Sequence, residues 1–139
     1  MKLYTSYWNK PGLCKPTRSG ERHPLSGALK VSISRKGAYF GVSYVNLGVE
    51  PFAPSQDHLD AYKASEKTPE DIARFWRIYR ERLDAVGIEE VGRRLQEATQ
   101  GADEAVLFCH EKAPDKFCHR MVFAEWYEEQ TGEVIEEGR

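Results

Sequence analysis

The chain has 139 residues, a formal net charge of −2 from 20 Lys and Arg against 22 Asp and Glu, and 40% hydrophobic and 12% aromatic residues. That is enough apolar material for one core but not two, so a single domain over 1–139 is expected. No apolar run approaches the roughly 18 residues that span a bilayer, and Met1-Lys2-Leu3-Tyr4 runs into mixed polar sequence without a signal-peptide core. This excludes a membrane-embedded reading and predicts a cytoplasmic location. Three cysteines, Cys14, Cys109 and Cys118, are too few for a disulfide scaffold and read as free thiols or metal ligands.

Charge is distributed unevenly. From Met1 to Lys36 there are eight basic residues (Lys2, Lys10, Lys15, Arg18, Arg22, Lys30, Arg35 and Lys36) against Glu21 alone, a net of +7 that leaves −9 for the rest. A basic segment of this kind attracts phosphate-bearing partners, nucleic acid included, or is simply a solvated loop.

In chain order, Lys2 to Trp8 alternates as a first strand and Asn9-Lys10-Pro11-Gly12 ends it. The polar stretch through Arg18 and His23 is a loop near that strand's carboxyl end. Leu29 to Ser34 alternates as a second strand, with Ser34, Arg35 and Lys36 just beyond it. Tyr39 to Leu47 is β-prone and interrupted by Gly41. Gln56 to Ala64 reads as a short helix, with Leu59 and Tyr62 on its apolar side. Thr68-Pro69-Glu70-Asp71 is a strong helix start: a hydroxyl N-cap, a proline at the first helical position and two acids at the positive end of the dipole. Ile72, Phe75, Trp76, Tyr79, Leu83 and Val86 follow at helical spacing to a stop at Gly87. Ile88, Val91, Leu95 and Ala98 mark another helix, ended by Thr99-Gln100-Gly101. The tail, with Glu125, Glu128, Glu129, Glu133, Glu136 and Glu137, reads mostly as a solvated acidic face.

Between the last two helices, Val106-Leu107-Phe108 is a short continuous apolar run, the pattern of a strand buried on both faces. It ends in Cys109-His110-Glu111-Lys112, is broken by Pro114-Asp115, and re-enters a helix near Phe117-Cys118-His119-Arg120. Parallel strands followed by helices predict an α/β fold of three layers, a mainly parallel sheet flanked by helices, with ligands at the carboxyl ends of the strands.

Three chemistries suit this junction. In the first, the edge binds a phosphate-bearing ligand, a nucleotide or nucleic acid: Arg120 is the anion clamp, Cys118 the candidate nucleophile, His119 and Glu111 the acid/base groups, and Ser34, Arg35, Cys109 and Lys112 further ligand contacts. Six residues after Cys118 stands Ala124 and six after Cys109 stands Asp115, so the phosphate-loop cysteine pattern with its later arginine is absent. No glycine-rich phosphate loop or dinucleotide fingerprint occurs either, so a nucleotide would bind without those devices, and the sequence leaves the cofactor open. In the second, Cys109, His110, Cys118 and His119 hold zinc, although neighbouring residues on a strand point to opposite faces. In the third, Cys109 and Cys118 form a redox pair, which requires Cα atoms within about 7 Å. A noncatalytic nucleic-acid or protein-binding module using the basic N-terminal third is the competing class. The bland alternative is a buried Cys109 with His119 and Arg120 satisfied by local partners.

Leu107-Phe108-Cys109-His110-Glu111-Lys112 with Phe117-Cys118-His119-Arg120 and Ala124-Glu125-Trp126 resembles the signature of the mainly bacterial family catalogued as domain of unknown function 488. Tyr4-Thr5-Ser6-Tyr7-Trp8, Ser32-Ile33-Ser34-Arg35, Ala53-Pro54-Ser55 and Asp60-Ala61-Tyr62-Lys63 are similar to segments of its shorter members, so the resemblance spans most of the chain. It implies an α/β fold and supports the location of the site without supplying a reaction.

Overall fold

A computed structural model describes residues 2–38, 41–109 and 119–138. Five strands form one sheet: β1 (Lys2–Tyr7), β2 (Leu29–Ser32), β3 (Val45–Asn46), β4 (Glu104–Cys109) and β5 (Glu136–Glu137). Their spatial order is β3-β2-β4-β1-β5, with every pairing parallel. Four helices are described: α1 (Gln56–Ala64), α2 (Pro69–Val86), α3 (Ile88–Ala98) and α4 (His119–Thr131). The expected α/β architecture with a parallel sheet is present, and the parallel pairing is complete rather than predominant.

β4 is central because its sequence is apolar at successive positions, so both of its faces need cover. Ala105 and Leu107 join one buried cluster with Leu3, Val31, Tyr79, Leu83, Val91, Leu95, Phe123 and Trp126. Val106 and Phe108 join a second with Trp8, Leu13, Leu25 and Ala28. The strand period of two sends alternate residues to opposite sides. The first cluster holds the apolar faces of α2, α3 and α4; the second is closed by the chain between β1 and β2. The three layers are therefore helices, sheet, and irregular chain in place of a second helical layer.

The helices follow their local signals. Thr68 caps α2 by accepting the Asp71 N–H while Asp71 accepts the Thr68 N–H, with proline opening the first turn. Phe75, Tyr79 and Leu83 are its buried residues, one turn apart. α4 is docked by polar as well as apolar contacts: Trp126 Nε1 donates to Asp84 at 2.8 Å, and Arg80 bridges to Glu125 and Glu129. β2 and β3 are shorter than the alternation implies. After β2 the chain turns at Ser34, whose carbonyl oxygen would lie 1.9 Å from a side chain at Gly48, so only glycine admits that approach. Tyr39 and Phe40, within the β-prone stretch, lie outside the described residues. β5 pairs with β1 at Tyr4↔Glu136 and Thr5↔Glu137, within the tail read as a solvated acidic face. Among the described residues no helix is long and apolar enough to cross a membrane.

Candidate functional site

Chain direction singles out one place on the sheet. The connection after β1 passes over β4 to reach β2, and packs on β4 through Trp8, Leu13 and Leu25 against Val106 and Phe108. The connection after β4 passes the other way, across β1 to β5, with α4 touching both β1 and β4 on the helical face. Two adjacent parallel strands whose connections leave in opposite directions over opposite faces make a topological switch point, and the crevice beyond their carboxyl ends is where such sheets bind ligands. Here the ends are Tyr7 and Cys109, paired in register, and the Trp8 N–H donates to the Cys109 carbonyl at 3.2 Å.

On the helical side, Cys109 and His119 meet. Cys109 is 1% and His119 8% exposed; the sulfur lies 3.5 Å from Nδ1 and 3.6 Å from Nε2 of the imidazole. His119 Nε2 also contacts the Ile33 carbonyl, just past β2. A carbonyl only accepts, so Nε2 carries a proton; a disulfide sulfur has none to donate, so its approach to Nδ1 is a contact rather than a hydrogen bond. The Tyr79 ring meets the imidazole edge-on at 5.5 Å, while its hydroxyl donates to the Phe52 carbonyl at 2.7 Å. Complete burial pushes the Tyr79 phenol well above its ordinary range, so it stays neutral. Cys109 is disulfide-bonded, and Cys14 is a free thiol whose pKa burial pushes above the ordinary thiol value, against the opposing pull of Lys30 and Lys15.

Arg120 follows His119 but points elsewhere, as consecutive helical residues do at about 100° per residue. Its side chain is fully buried. Nε donates to Glu137 Oε1 at 3.1 Å and Nη2 to Oε2 at 2.8 Å, a bidentate pair, and Thr5 Oγ1 donates to the same carboxylate at 2.7 Å. The guanidinium carbon lies 5.9 Å from the centre of the Tyr7 ring. This fork ties the start of α4 to β1 and β5.

The other residues singled out by sequence are placed as follows. The Ser34 hydroxyl donates to the Lys36 carbonyl, and the Ser32 hydroxyl donates to the Ser34 carbonyl at 3.2 Å, closing the turn after β2. Arg35 is exposed and donates to the Pro54 carbonyl at 3.4 Å. His23 Nδ1 accepts the Leu25 N–H at 3.0 Å, and Arg18 is exposed. Glu111, Lys112, Cys118 and His110 lie outside the described residues. Cys109 and His119 are thus brought together, next to the turn that carries Ser34, whereas Arg120 and Arg35 turn toward other partners. Among the described residues no group of three or more His, Cys, Asp or Glu forms a metal set.

Glu137, Tyr79 and the Tyr7–Trp8 segment carry no site role in the sequence pattern. Glu137 reads as one more acid in a solvated tail, and Tyr79 as one more aromatic in a core stripe. The available signal lay at Tyr7 and Trp8: a strand ending in two aromatics just before a lysine-bearing turn.

An all-parallel sheet with helices packed on one face, and the Cys109 sulfur and His119 imidazole at its switch point, define a parallel α/β protein. Within that class the chain belongs to the DUF488-N3a family, described as the active DUF488-N3 subclade, whose model matches residues 20–131. The match runs from before β2 through α4 and so includes Ser34, Arg35, Cys109, His119 and Arg120. No curated protein and no solved structure matches the chain.

Proposed function

We propose that this chain binds a phosphate-bearing ligand, a nucleotide or a nucleic-acid segment, in the crevice at the carboxyl ends of β1 and β4. The observation that carries the reading is the opposite departure of the two connections there, which opens a cleft at the strand ends. The basic character of the chain around β1 and its following loop supports an anionic ligand. His119, with its tautomer held by Ile33, is the acid/base candidate; Cys118, once reduced, is the candidate nucleophile, Glu111 the second acid/base group and Lys112 a ligand contact. Arg120, engaged with Glu137, serves this reading by positioning α4.

Calorimetric titration of the full chain with a nucleoside 5′-monophosphate and with a short single-stranded oligonucleotide, from about 50 mM to about 200 mM salt, tests it. Saturable one-to-one binding of the nucleotide is the expected result. Binding of the oligonucleotide alone, with a steep salt dependence that survives Cys118→Ala and Glu111→Ala, would replace it with a noncatalytic nucleic-acid module. Binding of neither overturns it.

A second reading, thiol–disulfide exchange, is favoured by the disulfide at Cys109 beside His119. With Cys118 as the second thiol, reduction by a dithiol would break the S–S bond and leave two thiols. The dithiol would supply two electrons and two protons and become a disulfide. In the reduced state Nδ1 of His119 is placed to accept the Cys109 proton.

A further inference from the structure

We infer that the turn following β1 is a phosphate subsite in which Lys10 and Lys15 hold the anion at the mouth of the switch-point crevice; this rests on the phosphate-ligand reading above and names where the phosphate sits. A cavity of about 270 Å³ opens there, lined by Trp8, Asn9, Lys10, Gly12, Lys15 and Thr17. Among the described residues its lining carries two ammonium groups and no carboxylate. Three other crevices are poorer hosts for an anion: one is lined by Asp71 together with Arg74, one by Glu136 and Glu137, and one by Glu133 together with Lys2. The volume is just below the range of about 300–1,000 Å³ typical of small-molecule sites, which suits a phosphate with one attached sugar better than a dinucleotide.

The cavity is continuous with the strand ends. Trp8 is both a lining residue and the residue whose N–H bonds Cys109, and its ring stacks on Phe108 of β4 at 4.4 Å and 9°. Lys10 Nζ lies 5.9 Å from the Tyr7 ring centre, and Arg120 approaches the same ring at the same distance, so cations from both sides of the switch point converge on the end of β1.

The turn is also held in shape. Lys10 N–H donates to the Tyr7 carbonyl at 3.1 Å, Leu13 N–H to Lys10 at 3.2 Å, and His23 N–H to Gly12 at 2.9 Å. Gly12 has φ +80°, and a Cβ there would stand 2.8 Å from the His23 nitrogen. Leu13, 1% exposed, anchors the turn in the core. Lys10 is therefore carried on backbone that does not have to order when a ligand arrives.

The test is titration of inorganic phosphate and of a nucleoside 5′-monophosphate into the wild-type full chain, Lys10→Gln, Lys15→Gln, the double variant, and Lys63→Gln in α1 as a charge-matched control, each checked for an unchanged circular-dichroism spectrum. The double variant is expected to weaken binding about tenfold or more, and Lys63→Gln to leave it unchanged. Wild-type binding that the double variant retains at equal affinity overturns the subsite while leaving the phosphate-ligand reading standing. The same loss in Lys63→Gln, which would mark a general charge effect, also overturns the subsite. No binding by the wild type overturns both.

Discussion

Cys109 decides what chemistry the junction can support, because a disulfide-bonded sulfur is neither a nucleophile nor a metal ligand until it is reduced. Thiol counting separates the states. In denaturant without reductant the chain is expected to show one reactive thiol, Cys14, and three after reduction; three from the outset would contradict the redox pair. Sequence located this junction correctly because an apolar run, a break and a helix start in succession permit little else. It did not reveal how the neighbouring side chains divide. His119 faces Cys109 and Ile33, whereas Arg120 faces Glu137, because one step along a helix rotates a side chain by more than a quarter turn. The partner of Arg120 was illegible for a different reason: Glu137 lies in a two-residue strand at the sheet edge, too short to impose a pattern on the sequence.

Elements with strong local signals were read almost to the residue. α2 begins at its Thr68 cap and ends at Gly87, and α3 ends at Thr99, as their signals predict, because these caps supply bonds that the helix end lacks. The irregular layer over the second face was not legible as a layer; it has no period, and its buried residues, Trp8, Leu13 and Leu25, are scattered among turn formers. The contact of α1 with α2 carries a pH dependence. His58 is buried, stacks on Phe75 at 4.4 Å, and has no hydrogen-bond partner for either ring nitrogen among the described residues. Burial, with the Arg82 charge second, lowers its pKa from the ordinary 6.5, although Glu50 pulls the other way; Asp71 and Arg74 line the same small cavity. A histidine kept neutral in the fold takes up protons more readily when unfolded. Its contribution is therefore fully present above about pH 6.5 and declines as pH falls below that value. The melting temperature is expected to drop from about pH 7.5 to about pH 5.5, and His58→Phe, which keeps the stack, should reduce that drop. Equal drops in the two proteins would contradict this role.

At the scale of the whole molecule, the strand order does what no single motif does. The sequence has no phosphate loop and no dinucleotide fingerprint, yet placing β1 beside β4 sends one connection over each face where Tyr7 and Cys109 end side by side. Charge follows the same division: the +7 of the first 36 residues is carried by β1, β2 and the chain between and just beyond them, while the helices and tail hold most of the acids. Strand order is set by contacts between distant segments, which is why the strand-to-helix junction was readable along the chain and the packing of the Trp8 to Leu25 segment on β4 was not.

The most direct test is the anomalous difference map of crystals soaked in tungstate, a tetrahedral dianion that mimics phosphate. The account predicts a peak beyond the carboxyl ends of β1 and β4, within contact of Lys10 and Lys15. A peak confined to another face of the molecule, or none at all, would contradict it.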